Sequence, residues 1–133
     1  MRTDMTWSVI EKDLQGLSRR LEATSQNIAN MNTPTYARKE ITFENQLAEV
    51  IHAPRRLPLQ RNNPRHFSNV KTSVAHVSPA EHRVDYEPYR LDGNNVDPET
   101  ETARLTESRM SYQAMTRILS RKVSMYRKAI GGN

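Results

Sequence analysis

The chain has no cysteine, and only four of its 133 residues are glycine. The first absence excludes disulfides, thiolate metal sites and cysteine nucleophiles together. The second leaves little to build a phosphate cradle, and none of the patterns G-x-S-x-G, P-loop or G-x-G-x-x-G occurs. Aromatic residues make up 6% and hydrophobic residues 35%, the latter below the roughly 45–50% of an ordinary globular domain. No apolar run is longer than two residues, so neither a transmembrane helix nor a signal-peptide h-region is expected. The length holds one domain and leaves no room for a second complete core.

What the chain does have is periodicity at both ends. Trp7, Ile10, Leu14, Leu17, Leu21, Thr24, Ile28 and Met31 follow a 3-4 spacing, which predicts a helix with a coiled-coil-like seam. Asp4 and Thr6 are both candidate N-caps, and the helix should stop where Asn30, Asn32 and Thr33 meet Pro34. A second seam runs through Leu105, Ser108, Tyr112, Met115, Leu119, Lys122, Tyr126 and Ala129. Asp97 is placed to cap that helix, Pro98 fits its first position, and Glu99 and Glu101 suit the positive end of its dipole. Met110, Ile118, Val123, Met125 and Ile130 widen its apolar surface beyond one seam, which predicts contacts on more than one side.

The middle differs in kind. Pro54, Pro58, Pro64, Pro79 and Pro88 come too often for a long helix. One short amphipathic helix is expected after Thr42, with Phe43, Leu47, Val50 and Ile51 on one face. Val70, Thr72 and Val74 alternate as a small strand or hairpin arm would. The expected fold is mainly α, its long terminal helices paired as a coiled-coil-like hairpin around an irregular proline-rich middle. Three parts are expected: a long helix over 1–31, the middle over 32–96 and a second long helix over 97–133. The seams offer few apolar side chains for so much helix, so the helices should seek neighbours on other subunits.

Charge sharpens the choice of function. The net charge is +5, and residues 104–133 hold seven basic residues against Glu107 alone. A basic helix can neutralise nucleic-acid phosphates, and a small helical nucleic-acid-binding module is therefore the reading from a different class. It also suits the negative end of a helix dipole or acids on a neighbouring subunit, for which Lys122, inside the seam, is the candidate; Glu11, Asp13 and Glu22 are its candidate partners. His52, His66, His76 and His82 lack metal-ligand spacing. No catalytic residues, metal, cofactor or small-molecule ligand are expected.

The end of the first helix reads Asn27-Ile28-Ala29-Asn30-Met31-Asn32-Thr33-Pro34-Thr35-Tyr36. It resembles the N-I-A-N-x-x-T-P-G-Y signature of the bacterial flagellar axial proteins, the rod, hook and junction components. Thr35 stands where that family usually has glycine, which bears on the turn type at 34–36. Phe43–Ile51, Pro64-Arg65-His66, the lead-in Leu91-Asp92-Gly93-Asn94-Asn95-Val96-Asp97 and the stretch Ser111–Ile130 are similar to short proximal-rod members of the family.

The resemblance implies a structural subunit whose terminal helices pair through Ile10, Leu14, Leu17, Leu21, Ile28, Leu105, Tyr112, Met115, Leu119 and Tyr126. Copies would stack helically into the periplasmic rod, the drive shaft that carries torque and encloses the export channel. It implies export by the flagellar type III apparatus without a cleaved signal. Implied partners are other copies, the rod proteins FlgC, FlgF and FlgG, the rod-base adaptor FliE, the MS ring and the export gate. Another subunit type of the same axial family is the nearest alternative.

Overall fold

In the computed structural model, which describes residues 5–52, 74–84 and 90–131, the first apolar seam forms helix α1, Met5–Ala29. Thr6 lies inside its first turn and is not its cap, while Asp4 lies outside the described residues. The chain then turns through residues 30–37 into strand β1, Arg38–Thr42. Helix α2, Glu44–His52, follows at once, its first turn closed by the Leu47 N–H on the Phe43 carbonyl at 3.0 Å. A short 3-10 turn, Val74–His76, precedes strand β2, Ala80–Val84. The long helix α3 runs from Pro98 to Gly131.

α1 and α3 pack together along the molecule. The ring of Trp7, near the start of α1, meets Tyr126 edge-on at 6.2 Å, near the end of α3. At the other end Asn27 meets Glu101, so the two helices run antiparallel as a hairpin. β1 and β2 form a two-stranded antiparallel ribbon with Arg38 opposite Val84 and Thr42 opposite Ala80.

Two small apolar clusters fill the angles of this frame. Leu17, Ala23, Ile41 and Phe43 form one, with Met115 of α3 against it. Leu47, Val50, Val74 and Val77 form the other, with Val9 of α1 against it. Phe43 is close enough to α1 that a Cβ added at Gly16 would sit 2.5 Å from its ring. Glycine in a helix interior costs roughly 1 kcal/mol relative to alanine; here it makes room for an aromatic ring.

Two expectations for the middle need correction. Ile51 is off the buried face of α2 and 43% exposed, whereas Leu47 and Val50 are buried. Val74 belongs to the 3-10 turn and not to a strand, and Val70 and Thr72 lie outside the described residues. The ribbon forms from Arg38–Thr42 and Ala80–Val84 instead. No helix among the described residues is long and apolar enough to cross a membrane.

Candidate functional site

The signature residues, the strand and the lead-in to α3 meet at one joint. Asn27 lies at the last turn of α1 and is fully buried. Its amide nitrogen donates to the Lys39 carbonyl at 2.8 Å and to Glu101 Oε2 at 2.9 Å. Its oxygen accepts the Lys39 N–H at 2.9 Å and the Tyr36 hydroxyl at 3.2 Å. Two donors and two lone pairs are the whole capacity of the side chain, and all are used. One asparagine therefore joins α1, β1, the signature turn and α3.

Asn94 does the same for the C-terminus of α1. A helix end leaves carbonyls without intrahelical partners, and the buried Asn94 amide nitrogen reaches Asn30, Met31 and Thr33 carbonyls at 3.0, 3.2 and 2.8 Å. Its oxygen accepts the Val96 N–H at 2.8 Å, and Val96 is itself fully buried. Asn95 closes the end of the ribbon, accepting the Arg38 N–H at 2.7 Å and donating to the Val84 carbonyl. Asn30 turns its amide back to the Gln26 carbonyl at 2.8 Å, and Thr33 Oγ1 donates to its oxygen at 3.2 Å.

Between Pro34 and Tyr36 the backbone makes a tight turn. Thr35 has φ 57°, a left-handed conformation, and the Tyr36 N–H approaches the Thr33 carbonyl at 3.4 Å. The Thr35 N–H donates to the Asp92 carbonyl at 3.0 Å. Gly93, at φ 80°, lies so that an added Cβ would be 3.7 Å from Thr35. The two turns thus dock on each other through a pair of left-handed residues.

Glu101 carries the charge at the centre of the joint. Only 1% exposed, it receives Arg104 Nη1 at 3.0 Å and Arg38 Nη1 at 3.4 Å on one oxygen and Asn27 on the other. Burial, against the opposing pull of Asn27 and Arg38, holds its carboxyl above the ordinary range. Nearer the start of α3, Asp97 caps the helix by accepting the Glu99 N–H at 3.0 Å and the Thr100 hydroxyl at 2.6 Å. The Thr100 bond is the main reason its carboxyl is lowered.

The expected pairing residues are spread along both helices. Ile10 and Leu17 are buried; Leu14, Leu21, Ile28, Leu105, Met115 and Leu119 are half-buried. Tyr112 and Tyr126 stay exposed, although Tyr126 touches Trp7. Lys122 places its ammonium 6.0 Å from the Trp7 ring, so its position in the seam already serves a contact within the chain. Asn27, Tyr36 and Thr33 meet in the joint, as do Asn94, Asn95 and Val96, while Ile28 is half-buried and Ala29 and Pro34 are exposed beside it. Arg38, Gly16 and the burial of Glu101 were not foreseen. The signal for Glu101 is there in hindsight: it stands four residues before Leu105, in line with the second seam.

The apolar surface of α3 is where the molecule is unfinished. Its buried residues are Glu101 and Ser108, both polar, whereas Met110, Tyr112, Ile118, Met125, Tyr126 and Ile130 are exposed. Among the described residues no cluster of three or more His, Asp or Glu could hold a metal ion. A helical hairpin locked by a closed polar joint, with several large apolar side chains of its long helix left exposed, has the build of an assembly subunit.

Comparison with known proteins identifies which kind. Residues 14–36 match the family described as flagella basal body rod protein. The chain is 34% identical over 110 residues to the flagellar basal body rod protein FlgB of Borreliella burgdorferi, covering 79% of this chain and 80% of that one. It is 33% identical over 119 residues to FlgB of Borrelia hermsii, covering 86% and 87%. With FlgB of Aeromonas hydrophila it shares 27% over 129 residues, covering 97% and 95%. The chain belongs to the FlgB family of flagellar basal body rod proteins, and it is a structural rod subunit of the basal body. That membership displaces the nucleic-acid reading of the basic helix.

Proposed function

We propose that the chain occupies the proximal, cell-side part of the rod, assembling helically with other copies of itself into the periplasmic drive shaft around the export channel. The observation that carries this reading is the exposed apolar face of α3, on a helix that buries no apolar residue fully within its own chain. Apolar area left in water is a driving force for association, and a tube of stacked hairpins covers it on several sides. The parts 1–31 and 97–133 serve as axial helices, and 32–96 braces them from outside. The joint at Asn27, Asn94 and Glu101 keeps the hairpin angle constant from copy to copy. FlgC, FlgF, FlgG, FliE, the MS ring and the export gate are the neighbours such a position implies, and export proceeds by the flagellar type III route. Besides its approach to Trp7, Lys122 is kept as a candidate for charge pairing between subunits.

Deletion and complementation test the reading. Basal bodies isolated after in-frame deletion should lack the rod, and the restored chain should copurify with them in stoichiometric amounts. Complete rods from the deletion strain would overturn it.

A further inference from the structure

The two edges of the β1–β2 ribbon differ. In an antiparallel pair, alternate residues turn their N–H and C=O toward the partner strand and the others turn them away. Lys39 gives both groups to Asn27, its N–H at 2.9 Å and its carbonyl at 2.8 Å, so Lys39 and Ile41 face away from β2. The Ile41 carbonyl accepts Arg20 Nη2 at 3.0 Å. Helix α1 thus lies along the outer edge of β1 and closes it with side chains. Asn95 closes the end of the ribbon between Arg38 and Val84.

On β2 the register makes Glu81 and Arg83 the outward residues, opposite Ile41 and Lys39. Among the described residues, no group takes the backbone N–H or C=O of either one. Both are exposed, as is His82 between them. Lys39 Nζ holds the Glu81 carboxylate at 3.2 Å, whereas Arg83 has no acid paired with it among the described residues. β2 therefore keeps an open strand edge, which is a template for an added strand. The edge is short, and a charge at each outward position opposes indiscriminate pairing.

We propose that β2 receives an extended segment of a protein other than this chain, which adds a third strand and sets an Asp or Glu against Arg83. The inference rests on the rod-subunit reading and adds a partner surface to it. The described strands of a second copy do not fill the edge. β1 of another copy has no edge to offer, because Asn27 and Arg20 occupy it. β2 against β2 would be a two-fold, isologous contact, and copies stacked in one direction along a tube are not related by a two-fold. The main-chain bonds of Glu81 and Arg83 would give the affinity, and the acid beside Arg83 the choice of partner.

Proline separates the edge from the fold. At Arg83 the lost N–H points outward, where an edge strand tolerates proline. Arg83→Pro should leave the urea midpoint of the full chain unchanged. Chain retained in isolated basal bodies should fall about tenfold, for one main-chain bond lost with its acceptor left unpaired. Unchanged retention overturns the proposal. If Arg83→Pro does not fold, Arg83→Glu decides: retention should fall while Arg83→Lys keeps it, and equal retention in all three charge states overturns the proposal. Contact is read with a photoreactive benzophenone side chain at position 82. Irradiated basal bodies should yield a cross-link to another protein, within a few residues of an Asp or Glu by mass spectrometry, and Arg83→Pro should abolish it. A product of two copies of this chain, or no product beyond the single chain, overturns the proposal. Absence of the unaltered chain from basal bodies would instead overturn the rod reading itself.

Discussion

Asn27 and Glu101 stand 74 positions apart in the chain and share a buried hydrogen bond of 2.9 Å. Because Asn27 also holds the backbone of Lys39 on both sides, this one pair determines where α3 begins relative to where α1 ends. Replacing Asn27 by leucine leaves the Lys39 backbone and a carboxylate without their partner in the interior. We expect a loss of about 2–4 kcal/mol, from the cost of unsatisfied buried polar groups, measured by urea denaturation of the isolated chain. An unchanged midpoint would show that the joint does not form outside the rod.

The pH dependence of stability follows from Glu101. Its carboxyl is raised by burial, so the folded state binds the proton more tightly than the unfolded one. Its contribution is full below the unfolded value of 4.5 and is lost as pH rises through the raised folded value. Asp13, raised by burial and by Glu44, acts in the same direction. Asp97, lowered by Thr100, acts in the opposite one: its contribution is present above 3.8 and is lost as pH falls through its lowered value. Relative to Glu101→Gln, the unaltered chain should therefore gain stability between neutral pH and pH about 4.5. Denaturation of both proteins across that range checks the sign.

Gly16 leaves the space that the Phe43 ring occupies. Gly16→Ala gains about 1 kcal/mol in helix propensity but drives a methyl group into a ring 2.5 Å away. Overpacking of this kind costs about 1–3 kcal/mol, so we expect a net loss. Phe43→Leu in the same chain should recover part of it, and a double-mutant cycle would then show coupling between the two positions. Additive effects would place the strain elsewhere.

Thr35→Gly should stabilise. A β-branched residue at φ 57° carries roughly 1–2 kcal/mol of left-handed strain, offset in part by glycine's greater freedom when unfolded. A net gain of about 0.5–1 kcal/mol is expected in thermal unfolding. Gly93→Ala, at φ 80°, should lose stability, since there the strain is introduced.

Reading the sequence alone was sufficient wherever the chain's own period or caps decide the structure. The two seams and the Asp97 cap with Pro98 behind it are legible, because helix spacing and local hydrogen bonding lie within a few residues. Asn27, Asn94 and Asn95 are marked only by the family resemblance, and their partners Lys39, Glu101, Arg38 and Asn30 lie 12 to 74 positions away. The ribbon is not legible. Arg38–Thr42 and Ala80–Val84 are mostly polar, with Ile41 the one buried side chain, and only pairing across the 37 positions between Thr42 and Ala80 makes strands of them. Glu101 belonged on composition to a helix first turn, as a solvated acid. Only the tertiary structure buries it, because α1 and β1 close over the start of α3 and bring Asn27 and Arg38 to its oxygens. Distance along the chain conceals such contacts, and the energy that holds them exists only once the hairpin has closed.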